Sequence, residues 1–125
     1  MARKPDLSKT TNRDAVVGHG KERSPKWPHV EKLHLKLEPA CACCGSTKKL
    51  NVHHKKPFHL FPQFELDLNN LITLCMDKEC HLKVGHGNDF KDYNPDVEAD
   101  SKRVHDNIAL FEEVATEAQK KRLIA

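Results

Sequence analysis

Residues 50–60 read LNVHHKKPFHL, with His53 and His54 side by side behind the β-branched Val52. The apolar residues before the pair predict a short strand, and the lysines and Pro57 after it predict that the chain leaves the strand at once. Neighbouring side chains of a strand point to opposite faces. The two histidines are therefore not expected to form one half of a simple tetrahedral metal site, but to flank something at the strand's end.

The chain has 125 residues, 38% of them hydrophobic and 6% aromatic. That is one domain's worth of sequence with a modest core, so a covalent or metal staple is expected. Five cysteines are available for it: Cys41, Cys43, Cys44, Cys75 and Cys80. No apolar run resembles a signal peptide or spans a membrane, which places the chain in a reducing cytoplasm, where clustered cysteines bind metal more often than they pair. Charge is unevenly spread: residues 1–56 hold 13 Lys and Arg against 5 Asp and Glu, a net of +8, and the overall +3 leaves −5 for residues 57–125. An acidic polymer suits the basic half.

Residues 1–23 are polar and read as a flexible basic arm. Ser24 and Pro25 form an N-cap and first-turn pair for a short helix that ends before Pro39. Trp27, Val30, His34 and Leu37 recur at helical spacing, with Trp27 and Leu37 expected to pack on the segment after the helix. Two apolar runs, LNV at 50–52 and LITLC at 71–75, predict strands joined by the fifteen-residue KKPFHLFPQFELDLN. A loop of that length is packed by its own side chains, here Phe58, Leu60, Phe61, Phe64 and Leu66. A short helix is expected from Cys80 to Gly85. Asn94 and Pro95 form a second cap pair, and Val97, Val104, Ile108, Phe111, Ala115 and Ala118 give one apolar stripe, read as a long amphipathic helix or two shorter ones. Its default role is to cover the core, with a dimer interface as the alternative.

Cys41 and Cys44 make a CxxC followed by Gly45, the turn a zinc knuckle requires, which leaves Cys43 spare. Cys75 and Cys80 would complete a structural zinc site whose binding energy is folding energy. Four unconnected buried cysteines are the alternative. Of the remaining histidines, His81 follows Cys80 directly, while His86 lies about 140° further round an ideal helix unless Gly85 lets the chain turn back. A second metal held by His53, His81 and, if the chain does turn back, His86 would leave His54 free at the strand end. A free imidazole beside an ion with open positions is a hydrolytic arrangement. Asn70, just before the second strand, is the candidate to hold that base by its other nitrogen.

CACCGSTKKLNVHHKKPF, LDLNNLITLC and CHLKVGH, taken in order, resemble the HNH endonucleases, also called ββα-metal or His-Me finger nucleases, and in particular the small zinc-stapled kind common in bacteriophage and bacterial genomes. The resemblance runs from Cys41 to about His86, and the trailing GNDFKDYNPDV also looks like the phage type. It implies an α+β fold: a small ββα-metal core (41–90) with a four-cysteine structural zinc, set in a single domain over 24–125 and flanked by an N-terminal helix and a long C-terminal helix (helical part 94–124).

Position by position, it implies His54 as general base, Asn70 orienting that base, and His53 and His81 as ligands of the catalytic ion. His86 matches a further ligand of histidine-rich members such as the colicin-type DNases, where the spacing is one residue shorter. The family cleaves with one divalent ion, commonly Mg²⁺, leaving a 5′-phosphate and a 3′-hydroxyl. An all-histidine shell suits Mn²⁺, Ni²⁺ or Zn²⁺ at least as well. Lys48, Lys49, Lys55 and Lys56 flank the pair and would bind neighbouring phosphates of double-stranded DNA without reading bases. The implied activity is DNA endonuclease, a nick being what one site produces. The competing readings are a non-catalytic zinc-stapled nucleic-acid-binding module and a nuclease subunit working with phage DNA-packaging proteins.

Overall fold

The computed structural model describes residues 22–124. Most of the expected arm, residues 1–21, lies outside the described residues. Helix α1 covers Trp27–Leu37, and Pro28, which has no N–H to leave unpaired, sits in its first turn. The helix starts later than Ser24 and Pro25 suggest. Ser24 builds a turn ahead of it, its Oγ accepting from the Lys26 amide at 3.0 Å and its carbonyl from Trp27 at 3.0 Å. At the other end Glu38 donates back to the His34 carbonyl at 2.8 Å before Pro39 ends the helix. Leu37, expected to pack, is 62% exposed. The buried face carries Val30, which meets Val52 and Leu71 with Trp27, Leu35 and Leu66 around them.

Strands β1 (Leu50–His54) and β2 (Leu71–Cys75) form an antiparallel pair in the register Leu50↔Cys75 to His54↔Leu71. β2 is buried along its whole length because it is covered on both faces. Leu71 packs towards α1, and Thr73 donates to the Glu38 carbonyl at 2.9 Å. Ile72 and Leu74 face the larger core of Val84, Val97, Val104 and Val114 with the buried cysteines. The connection between the strands contains two 3-10 turns, Pro62–Phe64 and Leu68–Asn70, the second capped by Asp67 Oδ1 accepting from the Asn69 amide at 2.9 Å. Phe58 is buried in it, whereas Leu60 points outward.

After Cys80 comes a π-helical turn, His81–Gly85, and then helices α2 (Val97–Asp106) and α3 (Phe111–Ile124). The C-terminal part is thus two helices and not one long one. The break falls at Asn107, whose extended backbone and side chain, accepting from the Ala109 amide at 3.2 Å, compete with helix continuation. It carries Ile108 out of the stripe, to 59% exposure. Asn94 opens the turn into α2, its Oδ1 accepting from the Asp96 amide at 2.9 Å and its carbonyl from the Val97 amide at 3.2 Å. It is buried, donating to the Val84 carbonyl at 3.0 Å and to Asp100 Oδ2 at 2.8 Å, and so ties the π-helical turn to α2. α3 closes over the same turn: Arg122 Nε donates to the Gly87 carbonyl at 2.9 Å, and Lys121 Nζ lies 2.7 Å from Asp100. The arrangement is a mixed α+β unit of a two-stranded sheet and helices around two packed clusters. Among the described residues no helix is long and apolar enough to cross a membrane.

Candidate active site

The thiols of Cys41, Cys44, Cys75 and Cys80 lie within 4.8 Å of one another, with Cys44 Sγ and Cys75 Sγ 3.5 Å apart. Two knuckles bring them there. In the first, the amides of Cys43 and Cys44 both donate to Cys41 Sγ at 3.4 Å, and Gly45 supplies the left-handed φ of +82° that turns the chain away. In the second, the Lys78 amide donates to Cys75 Sγ at 3.3 Å, and Glu79 at φ +64° swings Cys80 into place. That pair of turns accounts for the wide spacing of CMDKEC.

The thiols of Cys41, Cys44 and Cys80 are shifted in different directions. Hydrogen bonding from Cys80 and from backbone amides holds Cys41 down at about 4 against its burial. The bond to Cys41 pushes Cys80 strongly up, and burial lifts Cys44 to about 11. Four converging sulfurs with amides aimed at two of them fit a tetrahedral metal ion, which displaces thiol protons. Cys43 is buried beside them and is not part of the set.

The second cluster is built from imidazoles. His53 Nδ1 and His81 Nε2 are 3.1 Å apart, as are His81 Nε2 and His86 Nε2. Outward hydrogen bonds fix two of the tautomers. His81 Nδ1–H donates to Asn51 Oδ1 at 3.1 Å and His86 Nδ1–H to the Asp92 carbonyl at 2.6 Å, so both Nε2 lone pairs face inward. Facing lone pairs repel unless a proton or a cation lies between them, and three such nitrogens are within reach of one ion bound at about 2.1 Å. His53 Nε2, on the other side of its ring, is buried with no hydrogen-bond partner among the described residues. Burial, reinforced by the neighbouring imidazoles, holds His53 well below its ordinary value and His81 down at about 4, and burial also lowers His86. The rings are therefore neutral, as ligands must be. The donor set fits a borderline divalent metal.

The π-helical turn is what aligns His86. Its amide donates to the His81 carbonyl at 3.0 Å, an i→i+5 bond, so five residues make about one turn and the two rings stack over the same side. Gly85 lies beneath them. A Cβ there would stand 3.0 Å from Leu74 Cδ1 and 3.4 Å from both the His53 and His81 rings. Phe90 flanks the open side, its centroid 5.6 Å from His81 and 5.0 Å from His86.

His54 lies on the opposite face of β1. Its ring centroid is 4.6 Å from that of Trp27, so Trp27 packs against this histidine as well as against the core. Nε2 lies 2.9 Å from the Glu65 carbonyl oxygen. A carbonyl only accepts, so Nε2 carries the proton and Nδ1 keeps its lone pair. Burial lowers His54 to about 4, the Glu65 carbonyl opposing and the Arg23 charge assisting.

Among the described residues Asn70 makes no hydrogen bond to this imidazole, in contrast to the expectation that it holds the base by its other nitrogen. Its Oδ1 accepts from the Lys56 amide at 2.9 Å, and its Nδ2 donates to the carbonyls of Lys56 at 3.1 Å and Phe64 at 3.3 Å. It fastens the backbone just past His54, so any effect on the ring passes through the chain.

The four lysines are not brought together. Lys55 pairs with Glu98 at 3.0 Å, and Lys56 Nζ stands 5.0 Å from the Phe64 ring. Both line a cavity of about 350 Å³ with Asn69, Asn70 and Tyr93. Lys48 and Lys49 are exposed at the far end of β1, a strand that itself spans about 13 Å. Sequence reasoning missed Asn51, although it shares a strand face with His53, two residues on. It also missed Glu65, a charged residue inside an apolar loop, and Asp92, whose hydrogen bond with His86 is made by its carbonyl.

Residues 41–87 match the family model described as HNH endonuclease, a span that holds all four thiols and all three clustered histidines. Neither the curated proteins nor the solved structures give a match to the chain.

Proposed function

We propose that this chain, whose residues 41–87 are an HNH endonuclease domain, is a metal-dependent nuclease that hydrolyses phosphodiester bonds of double-stranded DNA, with His54 as general base and 5′-phosphate and 3′-hydroxyl ends as products. One observation carries the reading: the two faces of a single strand present different chemistry. His53 joins a cluster of inward lone pairs, while the adjacent His54 stands outside that cluster with one nitrogen committed to a carbonyl and the other free to accept.

An ion held by His53, His81 and His86 would polarise the scissile phosphate and offset charge on the leaving oxygen. His54 Nδ1 takes the proton of the attacking water. The Nε2–H bond to Glu65 keeps the ring in the accepting tautomer, and the positive charge that the ring gains strengthens that bond. Burial keeps the ring neutral at physiological pH, so the base is in its working form before substrate arrives. Asn70 holds the strand-to-loop junction rigid behind it. Lys55 and Lys56 bind phosphates flanking the cut. With contacts of this kind the enzyme positions DNA with little base preference, and as a monomer with one site it nicks. A cytoplasmic setting and a zinc ion on the four thiols belong to the same reading, to which a nuclease subunit working with phage DNA-packaging proteins is the alternative.

The test is conversion of supercoiled plasmid with Mg²⁺, Mn²⁺, Ni²⁺ and Zn²⁺ in turn, wild type beside His54→Ala. Nicking by wild type and none by the variant is the expected result. Equal cutting by both removes His54 from the mechanism, and DNA binding without cutting in any lane points to a non-catalytic module.

A further inference from the structure

The Glu65 carboxylate is 1% exposed, and a buried carboxylate is tolerated only when it is partnered. Its partners come from the segment that leads into α1, some 41 to 42 residues away. Arg23 Nε donates to Oε2 at 3.0 Å, and the Ser24 amide donates to both oxygens at 3.2 and 3.1 Å. Arg23, which sequence alone assigns to a flexible arm, is thus docked. Its guanidinium is 4.9 Å from the Trp27 ring centroid and 4.8 Å from that of Phe58.

Both ends of this assembly arrive at His54. The carbonyl of Glu65 accepts from His54 Nε2, and the Trp27 ring beneath Arg23 packs on the same imidazole. The residue whose main chain selects the tautomer of His54 is therefore fixed by its side chain to residues 23 and 24, and the residue that closes that contact also holds the ring's aromatic neighbour.

We infer that Arg23 and Glu65 form a latch that positions His54, making them positioning residues for the reaction of the HNH site. The catalytic part of this inference rests on the reading of the chain as a nuclease; the positioning part does not. With the latch open, the Glu65 carbonyl drifts and the imidazole can rotate or change tautomer, while the metal ligands on the opposite strand face stay in place. Displacement of a reacting group by about 1 Å costs up to about 100-fold in rate, so loss of Arg23 should slow the chemical step by about 10- to 100-fold.

The experiment uses the full chain loaded with metal and compares wild type, Arg23→Ala, Arg23→Lys and Glu65→Gln. Single-turnover cleavage of a short duplex is read beside duplex affinity measured by anisotropy, and the His54 Nε2–H resonance is followed by ¹⁵N-edited NMR. The latch predicts a slower chemical step in Arg23→Ala, affinity within about twofold of wild type, partial recovery in Arg23→Lys, and an Nε2–H signal lost to exchange in Arg23→Ala and Glu65→Gln. If Arg23→Ala does not fold, Glu65→Gln carries the test, because its amide oxygen still accepts from Ser24. Weaker DNA binding at an unchanged rate would make Arg23 a phosphate contact and overturn the latch, as would a persistent Nε2–H signal in the variants. If no protein cuts but the signal is lost in the variants alone, the latch stands and the nuclease reading falls.

Discussion

The thiol cluster and the imidazole cluster hang on the same two strands yet are finished differently. The first gathers four donors at the Leu50↔Cys75 end of the hairpin, three of them fully buried, and backbone amides point at its sulfurs. The second gathers three donors nearer the other end, with His81 and His86 only half-buried. Four donors complete a tetrahedron and exclude everything else, whereas three leave positions for water or a phosphate oxygen. One hairpin thus carries a four-thiol cluster that could close around a structural metal and a three-imidazole cluster that would leave positions on an ion open. The π-helical turn joins them, beginning beside Cys80 and ending beside His86.

Substitutions should separate the two. The largest effect is expected from Cys41→Ser, which breaks the four-thiol cluster. Structural zinc sites contribute on the order of 10 kcal/mol of apparent binding energy, comparable to the whole stability of a small domain. The variant should lose its bound zinc and its cooperative thermal transition, read by elemental analysis and circular dichroism. A variant that keeps one zinc and its Tm would mean the four thiols do not form a metal centre. His81→Ala should do the reverse, with a Tm close to that of wild type and loss of the second metal and of cleavage. Unfolding of that variant would show that the three-imidazole cluster is structural too.

A finer probe is Asn51→Ala, which removes only the acceptor that orients His81. Loss of such an outer hydrogen bond weakens metal binding by about 10- to 100-fold, measurable by titration with Mn²⁺ or Ni²⁺; an unchanged affinity would mean the tautomer is set by other means. The smallest effect should distinguish the lysines at the two ends of β1. Replacing Lys55 and Lys56 together should reduce the salt dependence of DNA binding by a slope of about 2 and slow cleavage. Replacing Lys48 and Lys49 should leave cleavage at saturating DNA unaltered. Equal loss of cleavage from both pairs would indicate a DNA path along the whole strand.

How much of this is legible in the sequence depends on the range over which each residue acts. The CxxC with Gly45 and the paired strands are local patterns, fixed by spacing and by the period of a strand, and they are where the sequence places them. The separation of His53 from His54 follows from the same period. His86 is ambiguous in sequence because a regular helix places it away from His81, and only the wider turn, packed under α3 and tied by Asn94, restores the alignment. Asn70 is expected to contact the base directly, but the side chain works on the backbone of Lys56, and composition carries no trace of that difference. Glu65 is invisible because its partner is 42 residues away and its contact with His54 is made by a main-chain oxygen. The C-terminal stripe misleads at Ile108 for a local reason, since Asn107 offers its side chain to the next turn and ends the helix first.

The i→i+5 bond between His81 and His86 bears on how such a chain can change over generations. A residue inserted between two ligands of an ordinary helix rotates everything downstream by about 100° and scatters the donors. Here the surplus residue is absorbed as a local swelling, and the downstream anchors, with Asn94 on Gly85 and Arg122 on Gly87, hold the rest of the chain in phase. Deleting one residue from that swelling would leave an ordinary turn with the same nitrogens still in line. An interval of four residues between these two histidines is therefore expected to keep the same nitrogens facing, and searches keyed to a fixed histidine spacing would pass over chains that share this geometry.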